Sequence, residues 1–512
     1  MNPLIPLFVG IPLAGAFLTM ILGYIKRNAC KYFTTVILLL LASLSIVSLI
    51  NIHSFADVYK VGGWEPVNGI PIGIYMVLDC FSIIVLCIIN LIGFLASFYS
   101  ISYIKRYTSE HYYYSLFCLI IAGMNGVVLS GDIFNIFVFL EVSVISSYAL
   151  VAFGVGKQEL EASFKYQMLG DIALFLILVS IGLIYWHTKT LNMADIREIF
   201  RSGYDRNFYF FTQLLILSGF GIKAAIIPFH AWLPDAHSSA PSPISAMLSG
   251  VLIKAAGIYI IIRLSFNMFV ITREIGIILM SLGTLSMAGG VVLAIGQWDI
   301  KRLLAYHSIS QMGYVIMSMG IGMTLLAKGI KYEVAVLAVT GGLFHLINHA
   351  VFKSLLFLNA GAIEYRTATR NLRKMGGLSR LMPVTSSTSF IASMSISGVP
   401  PFNGFFSKLI IIIAAVLAGY YLLAIFAVIV SILTLASFLK FQKYAFFRST
   451  GSNKTGEIKE VPAPMMISMI ILGLMCIGLS LLVIPILREN ILIPAVRVLV
   501  DPDYYSSLVP GI

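Results

Sequence analysis

Apolar stretches of twenty or more residues recur along almost the whole chain, and a helix needs about 20 such residues to cross a bilayer. In hydrocarbon the backbone amides have no water to bond, so each stretch has to satisfy its own polar groups as a helix. The pattern predicts an all-α integral membrane protein with fourteen spans, near 3–25, 32–52, 76–100, 112–130, 132–155, 161–186, 210–230, 241–265, 274–297, 301–322, 334–362, 383–418, 420–440 and 464–487. Composition agrees: 11% of the residues are charged and 59% are hydrophobic, where a soluble domain carries about 25% charged residues. The stretch from Met1 to Tyr24 has neither a basic start nor a small-residue cleavage site, and is read as the first span rather than a signal peptide.

Two spans are interrupted. The stretch 383–418 is too long for one crossing and contains Gly398-Val399-Pro400-Pro401 and Gly404; the stretch from 210 contains Pro228 and then Pro234. Both are expected to be broken helices, since proline donates no hydrogen bond and pushes the preceding turn open. The longest polar linkers are 53–74, 187–209, 363–382 and 441–463. With the N-terminus placed outside, the inner loops hold eighteen lysines and arginines, Arg27, Lys157, Arg302, Arg370 and Lys454 among them, and the outer loops eleven. This is the bias that sets orientation, and an even number of spans puts the C-terminus outside as well. The net charge of +12 is then topology plus buried lysine, not a nucleic-acid surface. The five cysteines (Cys30, Cys80, Cys87, Cys118 and Cys476) form no CxxC or metal spacing, so neither an iron–sulfur cluster nor another metal is expected.

The informative residues are the charges left inside spans: Lys165, Lys223, Lys254, Lys353 and Lys408, with Glu141 and Asp171, and with His230, His307, His345 and His349 near them. A charge at mid-membrane costs at least ~2.5–3.5 kcal/mol, so such residues mark ion pathways. The bland alternative is helix packing, or a long side chain reaching back to the interface. That alternative weighs most for Lys165, Asp171 and Lys353, which are accessory candidates together with His230. Lys223 lies five residues before Pro228, and Lys408 lies just beyond Pro400 and Pro401. A carbonyl freed beside a buried ammonium is a place for water, and broken helices are tolerated at membrane depth where they line such a cavity.

The chain also repeats itself. Glu141 precedes Tyr148 by seven residues, as His307 precedes Tyr314; Phe164-Lys165 parallels Phe344-His345; Pro228-Phe229-His230 parallels Pro401-Phe402-Asn403. The offsets are 166, 180 and 173 residues, in one order. A displacement of five spans inverts the second unit in the membrane. The expected organisation is helices 1–3 over 1–111, a first repeat over 112–265, a second over 266–440, and helix 14 with a tail over 441–512, with helices 7 and 12 broken.

Several long runs carry a family resemblance. They are 131–141, from Gly131-Asp132-Ile133-Phe134-Asn135 to Glu141; His230-Ala231-Trp232-Leu233-Pro234-Asp235-Ala236-His237; 239–250, with Pro241-Ser242-Pro243; His307-Ser308-Ile309-Ser310-Gln311; and 398–408, ending in Ser407-Lys408. The sequence resembles the antiporter-like subunits: the proton-channel subunits of complex I, the Mrp-type sodium/proton antiporters and the membrane-bound hydrogenases. The resemblance implies a subunit that translocates protons, or exchanges sodium for protons, with no cofactor and no catalytic chemistry of its own. It assigns Glu141 to the fifth-helix glutamate that responds to a neighbouring subunit, Lys223 to the lysine beside the first break, and Lys254 to the central lysine. His307, His345 and His349 fall at bridging positions, and Lys408 at the terminal site. Lysine at 408, with few residues after span fourteen, points to the D-type Mrp subunit and its hydrogenase counterparts; a complex I subunit proper is the alternative. The implied partners are small Mrp-like subunits or a redox module, in a prokaryotic plasma membrane. Two other classes are weighed. His345 and His349 share a helix face and would suit a metal or haem, but they are not matched by a facing histidine pair. A stand-alone transporter would not need partner subunits.

Overall fold

The computed structural model describes the whole chain except residues 1–2, 27, 52–55, 65–70, 72, 108, 204, 449–457 and 509–512. Arg27, Lys454 and parts of the 53–74 and 441–463 linkers therefore lie outside the described residues. The described chain is overwhelmingly helical, and twelve of its helices are long and apolar enough to cross a membrane. They account for twelve of the expected spans. The other two are the interrupted ones, each present as a pair of helices: Arg206–Lys223 with Trp232–Ser239, and Pro383–Ser397 with Asn403–Ala418.

Helix starts are fixed by acceptor side chains that satisfy the first free amides. Asp79 accepts from Ser82 N at 2.7 Å, and Ser82 Oγ in turn takes the Asp79 amide at 2.7 Å, a closed capping box for Cys80–Tyr103. Asp132 caps Ile133–Val151 and Asp299 caps Ile300–Ala327. The latter helix, Ser242–Met268 and Tyr332–Thr367 form the interior, with almost every residue buried. Leu7–Ile25, Ala29–Asn51 and Tyr421–Gln442 lie outside them with long apolar faces exposed, as lipid-facing helices should. Small residues let the interior helices touch: a Cβ on Gly283 of Arg273–Ile295 would stand 2.9 Å from Gly313 O of Ile300–Ala327.

Two clamps of the same construction tie distant segments together. Asp132 bridges Asn192, with Ile133 N to Leu191 O and Met193 N to Gly131 O both at 3.0 Å. Asp299 bridges Asn371, with Ile300 N to Arg370 O at 3.0 Å and Leu372 N to Trp298 O at 2.9 Å. Leading into each is the same threonine ladder. Thr188 Oγ1 bonds Thr190 O and Thr190 Oγ1 takes Asn192 N; Thr367, Thr369 and Asn371 do likewise.

Three readings need correction. The linker after span two contains strand Ala56–Lys60, paired antiparallel with Tyr75–Asp79. The residues after 484, read as a tail, form further helices such as Ile493–Val500. Arg263 and Lys301, counted with loop cations, are buried within helices. Arg263 forks onto Asp79, with Nη1 to Oδ2 at 2.7 Å and Nη2 to Oδ1 at 2.9 Å, and its guanidinium lies 5.1 Å from the Tyr505 ring. Asn267, one turn on, donates to Val498 O at 2.6 Å. This buried pair anchors the C-terminal helices to the start of Cys80–Tyr103.

Removing one partner of a buried pair strands the other charge and costs about 3–5 kcal/mol. Asp79→Ala is therefore expected to lower the melting temperature of the detergent-solubilised protein sharply, and Asp79→Leu with Arg263→Met to recover part of the loss. A melting temperature unchanged by Asp79→Ala would show that the pair does not hold this end.

Candidate functional site

Lys223 is the last residue of Arg206–Lys223 and is 4% exposed. Its Nζ donates to Tyr148 Oη at 3.3 Å. The space for this contact is made by Gly170 on Lys157–Thr188: a Cβ there would run into Tyr148 Oη and come within 3.1 Å of Lys223 Nζ. Glu141, half-buried, and Asp171, exposed, supply the negative charge that Lys223 feels. The chain then breaks. Ala225 takes a positive φ of 52°, Ile226 N returns to Gly221 O at 3.1 Å, and Ser286 Oγ receives the Ile227 amide at 3.0 Å. Ile222 O, beside the lysine, takes the Ala225 amide at 3.1 Å and also the Trp232 indole at 3.0 Å, while Lys223 turns to a tyrosine.

Lys254 follows directly. A Cβ on Gly257 would lie 2.7 Å from Ala224 Cα, so the helix of Lys254 nests against the break that follows Lys223. That helix unwinds into π-helical turns at Leu248–Leu252 and Lys254–Tyr259, a distortion common at functional sites. The loosened turn leaves Ser249 O to accept from Lys254 Nζ. Ser249 Oγ meets Ser308 Oγ at 2.6 Å, next to His307, whose Nε2 meets Ser437 Oγ at 2.8 Å.

The file continues on Tyr332–Thr367, which approaches the same turn so closely that a Cβ on Gly250 would lie 3.1 Å from Ala350 O. His345, His349 and Lys353 are spaced by four, so they share one face of this helix, and all three are 0% exposed. His345 Nδ1 meets Ser407 Oγ at 2.9 Å. The neighbouring Lys408 donates to Ile396 O at 2.8 Å, the carbonyl left at the end of Pro383–Ser397 by the second break, and sits 4.9 Å from the Tyr314 ring. Pro228, Pro400 and Pro401 all lie on the outer surface of their breaks, with the lysines inward.

Seven expected residues (Glu141, Lys223, Lys254, His345, His349, Lys353 and Lys408) thus lie on helices packed against one another, with His307 next to Ser308. Lys165 does not join them: it is exposed and pairs with Glu161 at 2.7 Å and Asp235 at 3.2 Å. His230 is half-buried next to exposed Pro228 and Phe229. Sequence reading missed the part played by Tyr148 and Tyr314, which serve there only as register marks, and by Ser407 and Gln311. Both polar side-chain atoms of Gln311, both ring nitrogens of His349 and Lys353 Nζ are buried without a hydrogen-bond partner among the described residues.

Residues 130–434 match the family described as NADH:quinone oxidoreductase/Mrp antiporter, TM. The chain is 34% identical over 441 residues to the D-type subunit of the Na(+)/H(+) antiporter of Alkalihalophilus pseudofirmus, covering 83% of this chain and 86% of that protein. Its fold is similar to a chain of the Mrp complex from Dietzia sp. DQ12-45-1b, with a TM-score of 0.87 and 27% identity over 99% of this chain and 98% of that one. A chain of the membrane-bound sulfane sulfur reductase, an archaeal respiratory membrane complex, gives a TM-score of 0.88 and 28% identity over 99% and 100%. The geometry and these likenesses agree: the chain belongs to the NADH:quinone oxidoreductase/Mrp antiporter family of multi-pass membrane proteins.

Proposed function

We propose that this chain is the ion-translocating subunit of a multisubunit complex in a prokaryotic plasma membrane, passing protons, or exchanging sodium for protons, along the buried lysine–histidine file. The observation that carries the reading is the succession of Lys223, Lys254, Lys353, His349, His345 and Lys408 on packed helices: small residues bring the helices of Lys223, Lys254 and Lys353 together, one helix face carries Lys353, His349 and His345, and Ser407 links His345 to the helix of Lys408.

The chemistry follows from what each site offers. Burial disfavours an ammonium, and a nearby carboxylate favours it. When Glu141 is drawn from Lys223, Lys223 releases its proton to the next amine; when Glu141 returns, Lys223 takes another. The histidines accept on one nitrogen and donate from the other, so they span the gap between Lys353 and Lys408. One charge crossing 100 mV involves about 2.3 kcal/mol, a cost that moving a single buried carboxylate can offset.

The exposed side of Lys157–Thr188 carries Asp171, with Glu141 only half-covered beside it. A carboxylate on the outside of a spanning helix calls for a protein neighbour, and we assign this face to an adjoining subunit, Mrp-like or belonging to a redox module. The matched clamps at 188–192 and 367–371 and the paired breaks support inverted repeats over 112–265 and 266–440. On this reading each half opens to its own side, with both termini outside.

Lys223→Met is expected to leave the complex assembled and to cut proton uptake in vesicles by about a hundredfold, the lower range for losing a proton-transfer group. Near-normal uptake would remove Lys223 from the path. Glu141→Gln is expected to be almost as damaging and Glu141→Asp partly tolerated; intact coupled transport in Glu141→Gln would reduce Glu141 to a structural role. Lys408→Ala separates a shared path from a pore through one half: the shared path predicts a loss as deep as that of Lys223→Met, the single pore substantial residual flux. Gly170→Ala, which drives Tyr148 from Lys223, is expected to lower flux without preventing assembly.

A further inference from the structure

At one end of the spanning helices three segments converge on Trp298. The indole lies just beyond the end of Arg273–Ile295, and Leu372 N bonds the Trp298 carbonyl at 2.9 Å. The last turn of Tyr421–Gln442 comes alongside: Lys440 Nζ donates to Ile295 O at 2.6 Å and to Gln297 O at 2.8 Å. Two cations share the indole, the Arg373 guanidinium at 4.2 Å and Lys440 Nζ at 4.8 Å from the ring centre. Tyr444 meets the same ring at 5.2 Å, nearly perpendicular, and has the Arg448 guanidinium 5.4 Å from its own. Lys374 and Lys443 are exposed on two short turns, Leu372–Lys374 and Lys443–Phe447, which pack against each other.

Five cations are thus gathered without an anion. Among the described residues none of Arg373, Lys374, Lys440, Lys443 and Arg448 pairs with a carboxylate, whereas Arg370, close by in the chain, is paired with Asp299 at 3.2 Å. Arg373 is the charged group that acts on Lys440, and like charges repel. An ammonium has three N–H donors; carbonyls take two from Lys440 and leave one. The surroundings say which anion fits. Val292 and Leu293 near the end of Arg273–Ile295, Ile432 and Leu439 on Tyr421–Gln442, and Phe447 beside Arg448 are all exposed. Apolar helix surface that runs into an aromatic pair and a row of cations is the composition of a bilayer boundary. A soluble anion would leave the apolar part bare, and an acidic soluble protein would reach the cations alone; a phospholipid covers both.

We propose that this edge of the protein binds an anionic phospholipid, its phosphate among Arg373, Lys374, Lys440, Lys443 and Arg448 and its acyl chains along the exposed sides of Arg273–Ile295 and Tyr421–Gln442. Trp298 and the two carbonyls fix the inner cations of the site, Arg373 and Lys440, while the exposed Lys374, Lys443 and Arg448 close around the headgroup.

Native mass spectrometry of the detergent-purified complex tests this. Stripped of lipid, the complex is titrated with phosphatidylglycerol or phosphatidylcholine, as wild type and as the triple variant Lys374→Gln, Lys443→Gln, Arg448→Gln, whose three side chains are exposed and leave the helix contacts in place. Wild type should take up one phosphatidylglycerol at a concentration about tenfold lower than the triple variant needs. The melting temperature and the uptake of phosphatidylcholine should be the same in both. Identical phosphatidylglycerol uptake in the two proteins would overturn the site, as would an equal shift for phosphatidylcholine. Displacement of the lipid by inorganic phosphate would mark a site for soluble anions, and tighter binding of a polyglutamate peptide than of lipid would mark a surface for an acidic protein; either overturns the lipid. Should the triple variant not assemble, Lys374→Gln and Lys443→Gln singly are each expected to weaken phosphatidylglycerol uptake severalfold, and no loss in either would overturn the proposal equally.

Discussion

Within a bilayer every ammonium has to find its partner inside the protein, and three buried lysines here do so in three ways. Lys223 uses a tyrosine hydroxyl. Lys254 uses a carbonyl loosened by a π-helical turn. Lys408 uses the carbonyl at the end of a broken helix. Lys353 has no hydrogen-bond partner among the described residues and stands 5.9 Å from the centre of the Phe357 ring. Irregular backbone thus supplies the acceptors of Lys254 and Lys408. A regular helix has no carbonyl to spare in its interior, since each is taken by the amide four residues on.

The two halves share a construction but not a charge. Each has a broken helix, a lysine close to a tyrosine ring at 5.8 Å or 4.9 Å, and a threonine–asparagine clamp before a central helix. Where the first half has Glu141, seven residues before Tyr148, the second has His307 before Tyr314. Glu141 is half-buried, whereas His307 is fully buried against Ser437 and Phe438. In the proposed relay the path therefore starts at Glu141, beside the exposed face proposed for a neighbour.

Much of this is legible in the sequence because membranes impose simple rules. The spans show as apolar blocks, both breaks as prolines in stretches of the wrong length, and Lys223, Lys254 and Lys408 as charges with no reason to be where they are. Less is legible where the partner lies far along the chain. Arg263 sits at the end of an apolar block and reads as an interfacial cation; its partner Asp79 is 184 residues away. Lys165 reads as buried because its helix is apolar all round, and nothing in such a helix tells the lipid face from the protein face. The clamps stand in the sequence as Thr188-x-Thr190-x-Asn192 and Thr367-x-Thr369-x-Asn371. Their spacing acquires a meaning only once the side-chain bonds are seen.

The shortage of negative charge in the interior bears on how the file works. Lys254 acts on Lys353, and no carboxylate is among the groups that act on either. Like charges in a medium of low dielectric repel, so in the proposed relay neighbouring amines do not hold protons together, and occupancy is a property of the row rather than of its members.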